Sequence, residues 1–108
     1  MRNNVVYSKV ALRDLDRVWS EVYEASLSSD VTDKYINDLL DKVEDKAAFP
    51  RSGSPLYYED GFTGYYYIVF KAYLIFYRVD GNTMFVDRVL FGRSDYMRNL
   101  HLNIEMEL

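Results

Sequence analysis

The apolar residues of this chain change period once, and that change constrains the fold more than any other feature. From Leu12 to Ala47 they recur three and four apart, and from Tyr65 to Phe91 they alternate or run together, so a helical half precedes a stranded half. Before the helices, Val5, Val6 and Tyr7 read as a short strand, and Ser8 can cap a helix by accepting from a free N–H of its first turn. Leu12, Leu15, Val18, Trp19, Val22 and Tyr23 line one side of that helix, with Arg13, Asp14, Asp16, Arg17, Glu21 and Glu24 on the other. "SLSSD" interrupts it, and Ser29 or Asp30 can cap a second helix carrying Tyr35, Ile36, Leu39, Leu40, Val43 and Ala47. Phe49-Pro50 ends the pattern, because proline lacks the N–H to continue and disfavours a helical residue before it. Two helices with so short a link make an antiparallel hairpin.

"PRSGSPLYYEDGFTG" is a loop by composition, with room for a short strand near Leu56 to Tyr58. Three strands follow: "YYYIVF", Ala72 to Val79, and Thr83 to Phe91. Asp80-Gly81-Asn82 favours a tight hairpin, since glycine and asparagine accept positive φ. The order predicts an α+β fold, a helical hairpin on one face of a small, mainly antiparallel sheet. Alternation places Tyr73, Ile75, Tyr77, Val79, Met84, Val86, Arg88 and Leu90 toward the helices. It leaves Leu74, Phe76, Arg78, Phe85, Asp87, Val89 and Phe91 on the open face. Arg88 then reads as a snorkelling or salt-bridged residue, and Arg78 as a partner for Asp87 or Asp80 or else a phosphate contact.

The 108 residues suit one domain, residues 1–108, with a core rich in the 17% of aromatic residues. Trp19 and most of the eleven tyrosines are expected in that core. The longest apolar stretch falls far short of the ~20 residues of a membrane span, and no signal segment opens the chain, which predicts a cytoplasmic protein away from membranes. Without cysteine and with one histidine, His101, no metal site or cofactor is expected. A net charge of −4 weighs against nucleic acid as a partner unless cations cluster locally. The tail "HLNIEMEL" alternates as an edge strand would, or frays as a terminus.

"FPRSGSPL" after two helices, then "YLIFYRVDGNTMFVDRVLFGRSDYMRNL", resembles the RelE/ParE superfamily of toxins from bacterial type II toxin–antitoxin modules, over roughly Val5 to Leu100. The resemblance implies a small helix-on-sheet toxin held inactive by a cognate antitoxin. RelE-type members cleave messenger RNA on the ribosome, and ParE-type members inhibit DNA gyrase without nuclease action. RNA cleavage requires proton transfer to and from oxygen and neutralisation of a charged phosphoryl group. Arg93 stands where the family places a cation after the last strand, and Tyr96 near a tyrosine that stacks or donates a proton; Arg78 is a secondary phosphate contact. The lead expectation is a metal-independent, RelE-type messenger RNA endonuclease with Arg93, Tyr96 and Arg78 as catalytic residues. The alternatives are a ParE-type gyrase inhibitor and a non-toxic partner-binding module. Leu74 and Phe91 occupy positions where RelE-type nucleases usually carry arginine and many relatives carry histidine. The alternative structural role for Arg93 is the start of a last helix from Ser94 to Leu100.

Overall fold

The computed structural model describes residues 4–93. The last helix expected from Ser94, the tail strand, Tyr96 and His101 lie outside them. Strand β1 (Asn4–Tyr7) leads into helix α1 (Lys9–Ser26) and helix α2 (Ser29–Lys46), then a 3₁₀ turn at Pro50–Ser52. Strands β2 (Ser54–Tyr58), β3 (Gly61–Phe70), β4 (Tyr73–Asp80) and β5 (Thr83–Phe91) follow. They form one sheet in the order β1-β5-β4-β3-β2, antiparallel throughout except that β1 lies parallel to β5. This is the expected α+β arrangement, with both helices on one face.

Capping decides where the helices begin. Ser8 Oγ accepts from Ala11 N at 2.9 Å, and replacing such a cap by alanine costs about 0.5–2 kcal/mol. The second cap is Ser28, one residue before the expected Ser29 or Asp30, and its hydroxyl accepts from Val31 N at 3.2 Å. The reason is the end of α1: Leu27 turns left-handed at φ 55° and bonds back to Tyr23 O, which leaves Ser28 extended and free to cap. In the stretch read as a loop, the short strand expected near Leu56 to Tyr58 is β2, and it forms a hairpin with the early start of β3, reversing at Glu59-Asp60. Gly81 takes φ 58° in the β4–β5 turn while Asn82 does not, the pattern of a type II′ turn.

Val18, Leu39, Val43, Ile75, Tyr77, Met84, Val86 and Val89 meet in a core between the helices and the sheet. Burying each of the larger aliphatic side chains stabilises the fold by roughly 1.5–3 kcal/mol relative to exposure. Two α1 assignments are corrected. Trp19 is outside this core; it stacks on Tyr23 at 5.2 Å and donates to Asp33 Oδ1 at 3.0 Å, bridging the helices at their surface. Asp14, placed on the solvent side by its charge, is buried at 3% exposure.

A bulge corrects the far half of β5. Phe76 pairs with Arg88 and Tyr77 with Val86, so Asp87 is an extra residue without a partner in the ladder. From there onward the side chains exchange faces relative to strict alternation. Val89 joins the helix-side core, Leu90 joins Leu56, Tyr65 and Phe76 on the other face, and Phe91 packs against Tyr73 at 5.8 Å. Val89 and Phe91 were expected on the open face and Leu90 beneath the helices; each lies opposite to that expectation.

Candidate functional site

Where β1 stops at Tyr7, the remainder of β5 has an unpaired edge, and α1 supplies the missing partners. Ser8 Oγ donates to the carbonyl of the bulged Asp87 at 2.9 Å. Asp14 Oδ2 accepts from Val89 N at 2.9 Å, and Arg17 Nη2 donates to Val89 O at 2.8 Å, so one carboxylate and one guanidinium take the place of a neighbouring strand. Arg88, which the register sets opposite Phe76 and not on the helix side that alternation predicted, completes the set with Nε at 2.8 Å from Asp14 Oδ2, the salt bridge expected of it. Asp14 therefore holds four donor contacts and two cations, which is how a carboxylate remains buried without an orphaned charge. The signal for it in the sequence is spacing alone: Asp14 lies three residues from Ala11 and four from Val18 on the buried stripe.

The opposite face of the sheet carries Arg78. Its Nε lies 2.5 Å from Asp87 Oδ2, and the same oxygen accepts from Tyr65 OH at 3.0 Å. The guanidinium also lies 5.6 Å from the Phe85 ring. Asp87 keeps the open-face side that alternation gives it, toward Arg78, while its carbonyl serves Ser8. Around this neutralised pair the face is apolar: Leu56, Phe76 and Leu90 are buried, and a cavity of about 220 Å³ is lined by Leu56, Tyr67, Leu74 and Phe76. Leu74 contributes a hydrocarbon wall to this cavity.

Arg93 lies at the other end of β4. Gly92 N donates to Ala72 O at 2.8 Å, which seats the end of β5 on the β3–β4 turn. A Cβ at Gly92 would stand 3.2 Å from that oxygen, so glycine permits the approach. Arg93 follows immediately, exposed and without a hydrogen bond or ion pair to another described residue. Arg78 is six residues along β4 from Ala72, so the two arginines start about 20 Å apart. The structure does not bring Arg78 to Arg93, and Tyr96 is outside the described residues. The Tyr73 hydroxyl donates to Glu21 Oε1 at 2.9 Å; burial, with the Glu21 hydrogen bond second, holds its proton well above the usual tyrosine range. Tyr73 is thus a neutral group already committed as a donor. Among the described residues no cluster of histidine, aspartate and glutamate could hold a metal ion, and no helix is long and apolar enough to cross a membrane.

Residues 5–96 match the family described as ParE toxin of type II toxin-antitoxin system, parDE. The chain belongs to this ParE toxin family. Its fold is similar to that in the chromosomal ParDE TA system from P. aeruginosa, with a TM-score of 0.68 and 16% identity over 83% of this chain and 96% of that one. It is also similar to a chain of the toxin–antitoxin complex RelBE2 from Mycobacterium tuberculosis, with a TM-score of 0.61 and 20% identity over 87% of this chain and 95% of that one. No curated protein is similar to it in sequence at a significant level. Membership of the RelE/ParE superfamily, expected from the strand–turn–strand ending in "FGRSDY", is thereby shown.

Proposed function

We propose that this ParE-family chain, as a single 108-residue toxin domain in the cytoplasm, stops growth by inhibiting DNA gyrase, and that a cognate antitoxin holds it inactive. The observation that carries the choice of target is the neutralised open face. Arg78 is bound to Asp87 and lies over the Phe85 ring on a face whose other described residues, Leu56, Leu74, Phe76 and Leu90, are apolar, so that face offers no free acid–base pair and no second cation to stabilise a cleaving phosphate. A non-nuclease inhibitor needs none of these; it needs a stable surface and an accessible anchor. Arg93 supplies the anchor, a planar donor fork at the end of a rigid strand.

The RelE-type reading keeps one supporting observation, the exposure of Arg93 with no hydrogen bond or ion pair to another described residue, which would also suit a phosphate contact. Expression without the antitoxin separates the two. The gyrase reading expects growth arrest, an SOS response and accumulated gyrase-cleaved DNA, with reporter messages intact. Ribosome-dependent cuts in those messages, abolished by Arg93→Ala, would replace it with the nuclease. Undisturbed growth would leave the non-toxic binding module.

A further inference from the structure

The sheet ends at β2, whose outer backbone has no neighbouring strand among the described residues. Between Ser52 and Tyr58 the sequence places no charged side chain to guard that edge, and Pro55 alone blunts it. Apolar area surrounds the strand instead: Tyr57, Tyr58 and Phe62 are 61%, 44% and 48% exposed. On one side Pro55 and Tyr57 line a groove of about 290 Å³ with Phe62 and Tyr66, whose rings lie 5.3 Å apart, and with Arg51 at its mouth. Past the other end of β2 the chain reverses at Glu59-Asp60, which adds two carboxylates. The side chains of Arg51, Glu59 and Asp60 have no hydrogen bond or ion pair to another described residue.

We infer that β2 pairs antiparallel with β2 of a second copy of this chain, about a two-fold axis at Leu56. Charge complementarity selects that occupant. Pairing centred on Leu56 sets Ser54 opposite Tyr58 of the second copy and Pro55 opposite its Tyr57, so an exposed ring meets a proline twice. The same count carried outward sets Ser52 opposite Asp60 and brings Arg51 to the Glu59-Asp60 reversal of the second copy. The axis repeats this match, which makes the surface its own complement. A nucleic-acid backbone would meet two carboxylates for one cation here. The three exposed rings offer about 100 Å² each, roughly 600 Å² over two copies, against the ~1,000 Å² that a stable interface needs. Paired backbone, Pro55 and the Arg51 stem supply the remainder, while the N–H that proline lacks leaves a ladder bond unmade. The dimer is therefore weak, with a Kd on the order of micromolar. Neither the edge nor its charges depend on the toxin reading. Since β5 lies three strand spacings from β2, the two β5 strands of such a dimer would stand about 34 Å apart, each ending at an Arg93.

Sedimentation velocity of the full chain over a concentration series tests this and should show a monomer–dimer equilibrium. Tyr57→Lys, which sets two like charges beside the axis, should weaken association at least about tenfold. Arg51→Glu and Asp60→Arg should each weaken it several-fold, and the two together in one chain should restore it, because exchanging both charges keeps the match. Unchanged melting temperatures would show that these surface variants fold. Amide exchange along β2 should slow as concentration rises. A chain that stays monomeric overturns the pairing, as does a dimer that Tyr57→Lys and both charge variants leave at wild-type affinity. Exchange along β2 that is slow and independent of concentration would give the edge to another segment of the same chain and overturn it too.

Discussion

The two ends of β5 are built on different principles. From Thr83 to Val86 the strand has backbone neighbours on both sides, β1 and β4, and its side chains alternate regularly. Beyond the bulge at Asp87, β1 is gone, and the ladder on that side is replaced by Ser8, Asp14 and Arg17 of the helix that β1 turns into. The first end is held by hydrogen bonds that any sequence could make. The second depends on three particular side chains, and it is the one that delivers Gly92 and Arg93 to the edge of the molecule. The architecture of this chain is thus generic where it is remote from the candidate site and specific where it supports it.

The sharpest way to break that contrast is Asp14→Ala. It leaves Arg88, a largely buried cation, without its carboxylate and Val89 N without an acceptor, and should cost about 3–5 kcal/mol. Chemical denaturation would show this as a fall in midpoint at constant slope, and a loss below about 1 kcal/mol would mean that the helix does not serve as a strand here.

The core under the regular half offers a second test through pH. Burial pushes the Tyr77 hydroxyl up to about 12, and it donates to Pro50 O at 2.5 Å. The raised value means that the folded state keeps a proton the unfolded chain releases. The stabilisation is fully present below pH ~10 and disappears as pH rises toward ~12, at about 1.4 kcal/mol per pH unit for the group. Tyr7, also pushed up to about 12 by burial, adds in the same direction. Tyr77→Phe should flatten the alkaline decline measured by thermal melting between pH 9 and pH 11; an unchanged decline would assign it to other groups.

Smaller effects sharpen the contrast between the two arginines. Asp87→Asn removes the charge that neutralises Arg78 and should cost about 1 kcal/mol of stability, while raising the salt-sensitive affinity for an RNA oligonucleotide above that of the wild type. Unaltered RNA binding would show that Asp87 is not what silences this face. Arg93→Ala should change stability by no more than ~0.5 kcal/mol, since the side chain is exposed and has no hydrogen bond or ion pair to another described residue. A larger loss would make Arg93 part of the scaffold.

Much of this fold could be read from periodicity, because the two helices and the last three strands carry long, regular apolar patterns. The α1 cap, the end of α2 before Phe49-Pro50 and the span of β5 all follow from local rules that tertiary contacts reinforce. What escaped reading depended on partners distant in the chain. Nothing in "FVDRVLF" marks Asp87 as the extra residue; the bulge exists because Ser8 waits for its carbonyl and Arg78 for its carboxylate, 79 and nine residues away. Asp14 looked like solvent-facing charge because its cations lie on β5 and one turn along α1. Trp19 looked like core because its size says nothing of Asp33 across the helical gap. At the site, Arg93 was legible from the glycine and charges that end the hairpin, whereas its seat against the β3–β4 turn required the Gly92–Ala72 bond to be seen.

The central claim is that a toxin surface with its open-face cation neutralised acts through gyrase and an exposed Arg93. A supercoiling assay with purified gyrase and the purified chain tests it most directly, with Arg93→Glu as the matched control. The account predicts loss of supercoiling with trapped cleaved DNA for the wild type and little effect for the variant. Full supercoiling in the presence of the wild type, in a preparation that cuts messages on ribosomes, would contradict it.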